Sequence, residues 1–165
     1  MSRGAVISPA EHAVNEVYRA QYGQLAGWAA RLVGDRDLAH DFATEAFVKL
    51  LSHWGEVAEP RAWLYTATGN LIRDHWRKRG REQVAYGKVG HDLDTGVERD
   101  LARDLTVRDA VLALPDRLRM AVMLHYYADL TIAQVASQLG KSEGGVKRDL
   151  WDARQKLAQI LEGVR

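Results

Sequence analysis

The sequence predicts an all-α protein in which two small helical domains are joined by a flexible linker. Apolar residues recur at helical spacing through residues 9–80 and again through 101–165. Serine, threonine and aspartate stand where helices should begin, and glycine stands where they should end. Between the two stretches, residues 81–100 lack apolar periodicity and are rich in glycine and acidic residues. We therefore predict domains at 9–80 and 101–165, with a flexible acidic linker at 81–100.

The composition excludes several classes of protein. Hydrophobic residues make up 47% of the 165 residues, enough for a packed core and too many for a disordered chain. The chain has no cysteine, which excludes disulfides and thiolate metal sites, and its six histidines show no ligand spacing. No apolar run approaches the ~20 residues of a membrane-spanning helix, and the N-terminus lacks a signal-peptide core. We expect a cytoplasmic protein without membrane insertion, metal or other cofactor.

The charged residues are balanced in number but segregated along the chain. The net charge is only +1, with 23 basic and 22 acidic residues, which argues against a protein that coats DNA non-specifically. Acidic residues dominate 35–45, whereas basic residues dominate 73–81. This asymmetry predicts two different partners on one molecule.

The first two helices follow from their caps and their apolar spacing. The first begins at Ser8 and Pro9, because proline suits a first helical turn, and Gly34 ends it. Asp35 caps the second helix. The inward positions predicted from spacing are Val14, Tyr18, Leu25, Ala29, Leu32, Leu38, Ala39, Phe42, Ala43, Ala46, Phe47, Leu50 and Leu51.

The second helix also carries an acidic ridge with apolar edges. With Leu38 beside it, an i, i+3, i+4, i+7 line is formed by Asp41, Thr44, Glu45 and Val48. A solvated helix face is the commoner explanation for such a ridge, and a binding surface for a partner is the alternative.

A third helix, beginning at Pro60, combines an apolar side with an unusual polar side. Its apolar side is formed by Leu64, Ala67, Leu71 and Ile72. Its polar face is predicted to hold Thr66, Gly69, Asn70, Arg73 and Arg77. Glycine at position 69 leaves bare backbone that a ligand can approach.

This third helix is the candidate site for opened nucleic acid. Aromatic rings can stack on bases while cations hold phosphates, and asparagine and arginine can read base edges. An amphipathic helix with a solvated basic end and core tryptophans is the alternative. The candidate residues are Trp63, Tyr65, Thr66, Asn70, Arg73, Asp74, Arg77, Lys78 and Arg79.

The C-terminal stretch predicts a helix-turn-helix of winged-helix-like type. Thr131 and Gln134 form a capping-box pattern for a short helix, Gly140 stops that helix, and Ser142 caps a longer one. In this motif the second helix enters the major groove, whereas an ordinary helical hairpin with surface charges is the alternative. The candidate DNA contacts are Thr131, Ser142, Gly144, Gly145, Lys147, Arg148, Trp151 and Arg154.

Three blocks of the chain, in order and in register, resemble the extracytoplasmic-function sigma factors. The first block is VYRAQYGQLAGWAARLVGDRDLAHDFATEAFVKLL, and the second is PRAWLYTATGNLIRDHWRKRGR. The third is LPDRLRMAVMLHYYADLTIAQVASQLGKSEGGVKRDLWDARQKL, which is similar to sigma region 4. The resemblance implies a sigma factor for a stress or developmental regulon, a specificity subunit that performs no covalent chemistry.

The resemblance also implies a partner for each surface. The ridge of Leu38, Asp41, Thr44, Glu45 and Val48 would bind the clamp helices of the largest subunit of core RNA polymerase. The helix beginning at Pro60 would recognise and open the minus-ten element of promoter DNA, and the helix beginning at Ser142 would read the minus-thirty-five element. The linker would run towards the RNA exit path. No small-molecule substrate is implied, and an anti-sigma partner is left open.

Four positions depart from the family pattern, one of them His125, where an arginine is usual. Thr44 replaces the usual glutamine, so one hydrogen bond to polymerase is expected to be missing. Asp149 and Asp152 replace basic residues of the recognition helix, so two carboxylates are expected near DNA phosphates. A stand-alone helix-turn-helix regulator is the competing function, and an enzyme is disfavoured because no phosphate loop, nucleophile elbow or metal-ligand set occurs in the sequence.

Overall fold

The computed structural model describes residues 7–85 and 102–163, with side chains for 7–81 and 107–163. The N-terminal unit holds α1 (Pro9–Val33), α2 (Arg36–His53), a 3-10 turn (Trp54–Glu56) and α3 (Pro60–Ala85). The C-terminal unit holds α4 (Ala102–Leu112), α5 (Asp116–Val122), a π-helical turn (Met123–Tyr127), α6 (Ile132–Leu139) and α7 (Glu143–Glu162). Within the described ranges there is no strand, which confirms the all-α prediction.

The helix ends lie where the capping residues predict them. Ser8 and Glu11 form a reciprocal capping box, because each backbone N–H donates to the other side chain at 3.1 Å. Gly34 ends α1 with φ +76°, a left-handed conformation that favours glycine. Thr131 and Gln134 form a second capping box at the start of α6. These short-range hydrogen bonds satisfy N–H groups that the first helical turn leaves unpaired.

Helices α1, α2 and α3 pack together around the predicted inward stripes. Leu25, Leu50 and Leu64 are fully buried, as the spacing predicts. Tyr18 and Leu51 were predicted to face inward but are each 40% exposed. They lie at the borders of wide stripes, where spacing alone does not decide burial.

Helix α3 continues beyond the predicted domain boundary. It extends five residues past Gly80 to Ala85, into the stretch predicted to begin the linker at residue 81. The arginines near its end therefore stand on a helix and have a fixed spacing. The rest of the predicted linker, up to residue 100, lies outside the described residues.

The N-terminal and C-terminal units are in contact. One face of α3 packs on α1 and α2, and another packs on α6 and the π-helical turn. A single apolar cluster extends from Leu25 and Ile72 of the N-terminal unit to Met120 and Leu124 of the C-terminal unit. This contact between the units determines which faces of α3 are free.

Candidate nucleic-acid interface

The ridge on α2 lies on the surface. Asp41, Thr44, Glu45 and Val48 are all exposed, and Leu38 is half-buried. Glu45 has an ion pair with Lys49 of the next turn at 3.6 Å. Val48 is 62% exposed, which is unusual for a valine, so the ridge offers carboxylates beside an accessible apolar surface.

A polar row on α3 faces outward. Asp74, Lys78 and Arg79 are exposed, and Asn70 is half-buried. Trp63 is also half-buried, with its ring centroid 6.2 Å from that of His53. An accessible aromatic edge, an amide and a run of cations therefore lie along one helix, which suits the binding of a single strand.

Two candidates on α3 are in the interior, so the sequence-based prediction is wrong about their exposure. Tyr65 is 3% exposed and stands edge-on to Trp28, with ring centroids 5.0 Å apart. Burial raises the pKa of the Tyr65 hydroxyl, partly offset by neighbouring Arg61. Thr66 is 7% exposed and donates its hydroxyl to the carbonyl of Ala62 at 2.8 Å. Neither side chain can reach a base in this arrangement.

Gly69 is close to another part of the chain, and its backbone is not open to a ligand. A Cβ built at this position would lie 3.2 Å from the Cε atom of Met120 and 3.5 Å from the ring of Trp28. Met120 belongs to α5, in the C-terminal unit. The absence of a side chain at Gly69 therefore permits the close approach of α5 in this structure.

Arg77, predicted as a contact to promoter DNA, is paired with a carboxylate of the C-terminal unit. Its Nε donates to Oδ2 of Asp116 at 2.6 Å, and its Nη2 also contacts that carboxylate. Asp116 accepts a second guanidinium from Arg119, which lies over the ring of Trp76 with 4.6 Å from Cζ to the ring centroid. Two arginines thus pair with the Asp116 carboxylate, and one of them also lies over the ring of Trp76.

The pKa of Asp116 reflects this environment. Burial alone would raise the pKa, but the hydrogen bonds and charges of Arg77 and Arg119 outweigh burial. The pKa of Asp116 therefore lies below its ordinary value, and the carboxylate is charged at neutral pH.

The helix-turn-helix has the predicted turn and caps. Gly140 ends α6 at φ +64°, and Ser142 accepts a hydrogen bond from the N–H of Gly145 at 3.0 Å. Val146 and Leu150 of α7 are buried. The outward face of α7 presents exposed Gly144, Lys147, Arg148, Trp151 and Arg154.

Asp149 does not lie on the DNA-facing side of α7, contrary to the prediction from the sequence. Its side chain is 7% exposed and points into the C-terminal unit, where it contacts Arg117 and accepts from Lys141 at 2.8 Å. Asp152 is 34% exposed, with one carboxylate oxygen 3.8 Å from the same Arg117. The expectation of two carboxylates facing DNA phosphates is therefore wrong for Asp149, because two cations pair with its carboxylate inside the fold.

Comparison with known proteins identifies the family. Residues 17–82 match Sigma-70 region 2, and residues 104–157 match Sigma-70, region 4. The chain is 32% identical to the ECF RNA polymerase sigma factor SigL of Mycobacterium tuberculosis, over 96% of both chains. The chain belongs to the extracytoplasmic-function (ECF) sigma factor family. This sigma factor is also 25% identical to the sigma factor SigZ of Bacillus subtilis, over 91% of its own length and 88% of that relative.

Solved sigma factor structures share the fold of this sigma factor. The sigma factor RpoE of Bartonella quintana, in complex with the anti-sigma factor NepR, has a TM-score of 0.67 at 22% identity, covering 93% of this chain and 99% of that chain. CnrH, in complex with the cytosolic domain of CnrY, has a TM-score of 0.64 at 21% identity, covering 93% and 90%. At these identities the likeness establishes the fold alone. The helix-turn-helix of the C-terminal unit lies within residues 104–157, which match region 4.

Two residues of this sigma factor that were not predicted contribute to the candidate surfaces. Asp116 holds Arg77 from 39 positions away, and no short-range sequence signal marks such a pair. Tyr126 accepts from Nη1 of Arg154 through its hydroxyl at 2.9 Å, and its ring is 49% exposed beside the recognition helix. Its position on a π-helical turn was not visible in the apolar spacing.

Among the residues that the structure describes, there is no group of three or more histidine, aspartate or glutamate side chains that could hold a metal ion. None of the described helices is both long and apolar enough to span a bilayer.

Proposed function

We propose that this sigma factor binds core RNA polymerase through α2 and contacts promoter DNA through α3 and α7. The observation that carries the proposal is the placement of two candidate DNA-binding helices on different units. One carries Asn70 and an exposed basic end, and the other carries Lys147 and Arg148 beside a capped N-terminus. Two elements of one promoter can then be contacted by one chain.

The ridge on α2 suits a polymerase helix that offers cations or amides. Asp41 and Glu45 are exposed and one helical turn apart, so one partner helix can pair with both carboxylates. Leu38 and Val48 add apolar area at the edges, which favours burial on binding. The clamp helices of the largest polymerase subunit are the proposed partner.

The outward row on α3 suits the opening of the minus-ten element. This chain has no motor, so strand opening has to come from binding unstacked bases, each of which costs a few kcal/mol to extrude. Stacking on an aromatic ring returns about 1–3 kcal/mol per base, and phosphate contacts add to this. Trp63 supplies a stacking edge, Asn70 a base-reading amide, and Lys78 and Arg79 the phosphate contacts.

The N-terminal turns of α7 suit the major groove at the minus-thirty-five element. Arg148 faces directly away from the buried stripe and is the proposed base contact, whereas Lys147 and Arg154 lie to its sides and suit phosphates. The pairing of Asp149 with Arg117 and Lys141 removes one carboxylate from this surface. The outward charge of α7 is therefore predominantly basic.

The two competing functions fit the surfaces less well. A stand-alone helix-turn-helix regulator would use α7 and leave the ridge on α2 and the basic end of α3 without a role. An enzyme is the second competing function. It is disfavoured because a transcription initiation factor performs no covalent chemistry, since the polymerase supplies the active site. We place this sigma factor in the cytoplasm with the polymerase. An anti-sigma partner is a hypothesis that co-purification would test.

Transcription from purified components tests the proposal. Core polymerase with this sigma factor is incubated with a library of random duplex DNA, and the 5′ ends of the transcripts are sequenced. Defined start sites preceded by two common elements are expected, and none should appear with core polymerase alone. If start sites appear only when a second sigma factor is added to the reaction, the chain acts as a regulator and the proposal fails.

A further inference from the structure

A side-chain pair joins the π-helical turn to α7. Nη1 of Arg154 donates to the hydroxyl of Tyr126 at 2.9 Å, and both residues are exposed. Resting on the proposed function, we propose that Tyr126 and Arg154 together bind one phosphate of the minus-thirty-five element. The DNA-binding surface of the C-terminal unit then includes the π-helical turn as well as α7.

The hydrogen-bonding capacity of the pair suits a phosphate. A tyrosine hydroxyl that accepts from a guanidinium keeps its own O–H free to donate. A guanidinium carries several N–H donors, so Arg154 also keeps donors for an anion while Nη1 is bonded to Tyr126. Tyrosine and arginine are both among the side chains that contact DNA phosphates. A phosphate placed against the pair can therefore accept from both side chains at once.

The charge of Arg154 is not compensated inside the described part of the fold. Other arginines pair with an aspartate, as Arg77, Arg117 and Arg119 do. Among the residues with described side chains, no carboxylate forms such a pair with Arg154. Its contact with a hydroxyl orients the guanidinium and leaves the positive charge in place. That charge is therefore available to a DNA phosphate.

Arg154 lies on a flank of the recognition helix. Each residue turns an α-helix by about 100° and advances it by about 1.5 Å. Arg154 is therefore about 120° round α7 from Arg148, the proposed base contact, and about 9 Å further along the helix. Lys147, Trp151 and Arg154 follow i, i+4, i+7 spacing and are all exposed, so they share this flank. Because the flanks of a helix in the major groove face the groove edges, this side suits phosphates.

The π-helical turn holds the Tyr126 ring in place. The ring stands edge-on to that of His125, with the centroids 4.9 Å apart. Nδ1 of His125 donates to the carbonyl of Leu130 at 2.7 Å, and Leu130 is buried. The N–H of Ala128 donates to the carbonyl of Met123 at 3.1 Å and closes the turn. The tyrosine hydroxyl is therefore held on a hydrogen-bonded backbone, which reduces the entropy lost when the pair binds an anion.

A purely structural role accounts less well for the pair. Water reaches both groups, because Tyr126 is 49% exposed and Arg154 is also exposed. A hydrogen bond that water can replace adds little to the stability of a fold. Helix α7 is attached to the C-terminal unit by its buried side, which includes Val146, Leu150 and Ala153. Loss of the tyrosine hydroxyl should therefore affect DNA binding more than folding.

The experiment measures binding of the full chain, in holoenzyme, to promoters with neutralised phosphates. The probe is a duplex promoter obtained from the random-library transcription, in which one phosphate of the minus-thirty-five element at a time is replaced by methylphosphonate. Tyr126→Phe removes the hydroxyl and keeps the ring, whereas Arg154→Ala removes the guanidinium. Lys156→Ala is the matched charge control, because exposed Lys156 lies about 200° round α7 from Arg154, on the opposite flank. Thermal unfolding checks the fold of each variant.

On the unmodified promoter, Tyr126→Phe should lose about two- to tenfold in affinity, with unchanged base preference and an unchanged unfolding temperature. At one position, methylphosphonate should weaken binding most in the wild type and Lys156→Ala, less in Tyr126→Phe and least in Arg154→Ala. Wild-type affinity in Tyr126→Phe, or equal sensitivity of all four proteins at every phosphate, would overturn the inference. Failure of the wild-type holoenzyme to select any promoter would instead overturn the proposed function, on which the inference rests.

Discussion

Asp149 lies on the buried side of the recognition helix, where its carboxylate pairs with the guanidinium of Arg117. Lys141, in the turn between α6 and α7, donates to the other carboxylate oxygen at 2.8 Å. Asp149 therefore links α7 both to α5 and to the turn that precedes it. This link fixes the orientation in which α7 presents Lys147 and Arg148.

Removal of the Asp149 carboxylate is expected to destabilise the C-terminal unit. Asp149→Ala should lower the free energy of unfolding by about 1–3 kcal/mol, because hydrogen bonds to charged groups are lost. The loss is limited because Arg117 is half-exposed, so that water can hydrate its guanidinium. Urea unfolding followed by circular dichroism measures this. Asp152→Ala, with its carboxylate 3.8 Å from Arg117, is the matched control and should change stability by less than about 1 kcal/mol. Equal effects of the two variants would contradict the structural role of Asp149.

Substitutions on the outward face of α7 should separate base contacts from phosphate contacts. Arg148→Ala should cost about 1–3 kcal/mol of binding and relax preference at one position of the upstream element. Lys147→Ala should weaken binding to all sequences alike. It should also lower the slope of log affinity against log salt concentration by about one, because one phosphate contact is lost. Holoenzyme binding to a set of single-base promoter variants measures both. If the two variants lose affinity with unchanged preference, Arg148 is not a base contact.

The features that depend on neighbours in sequence could be predicted. The capping boxes of Ser8 with Glu11 and Thr131 with Gln134 join residues three apart, so their pattern is complete in the sequence. The position of Asp149 could also have been predicted. It follows Val146 by three residues and precedes Leu150 by one, within the i, i+3, i+4, i+7 line of the buried stripe.

The surroundings of α3 could not be predicted in the same way. Apolar spacing assumes one buried face, but α3 is packed on two sides, and each residue between Ala62 and Ile72 is either buried or half-buried. Tyr65 and Thr66 are therefore interior although neither belongs to the predicted stripe. The pairing of Arg77 with Asp116 depends on how the two units dock, and residues 39 positions apart carry no local pattern for it.

The contact between the N-terminal and C-terminal units should be independent of pH near neutrality. Because the hydrogen bonds and charges of Arg77 and Arg119 lower the pKa of Asp116, the contribution of the Arg77–Asp116 pair to this contact is fully present above the ordinary aspartate value. It is lost as pH falls through the lowered pKa. The cations that pair with the Asp116 carboxylate are Arg77 and Arg119.

Dyes on cysteines introduced at the exposed positions Gln24 and Ala158 report the separation of the two units by energy transfer. This transfer should be constant from about pH 8 to about pH 5 and fall only below the ordinary aspartate pKa of about 4. Circular dichroism at each pH distinguishes separation of the units from unfolding. An opening transition near pH 6.5 would instead identify histidine titration as the cause and contradict the role of Asp116.

Charge reversal on the α2 ridge should weaken polymerase binding without unfolding the protein. Asp41→Lys combined with Glu45→Lys replaces two attracted charges by repelled ones on an exposed face, so the helix content should be unchanged. Competition with wild-type sigma factor for core polymerase should show an affinity loss of at least tenfold, about 1.4 kcal/mol. Asp37→Lys, also exposed on α2 but outside the ridge, is the control. Wild-type affinity in the double variant would rule out the ridge as the polymerase surface.

The outward row of α3 should be required for strand opening and dispensable for earlier steps. Asn70→Ala and Trp63→Ala are expected to retain polymerase binding and closed-complex formation, because the ridge and α7 are unchanged. Trp63 packs partly against the core, so the helix content of Trp63→Ala is checked first. A promoter with a mismatched minus-ten region should partly rescue Trp63→Ala, since its bases are already unpaired.

Permanganate footprinting of unpaired thymines on a duplex promoter tests the central claim most directly. Wild-type holoenzyme should make thymines of the minus-ten element reactive, whereas holoenzyme with Asn70→Ala should leave them protected while still occupying the upstream element. If Asn70→Ala and Trp63→Ala give wild-type reactivity on duplex DNA, α3 is a scaffold and does not open the promoter.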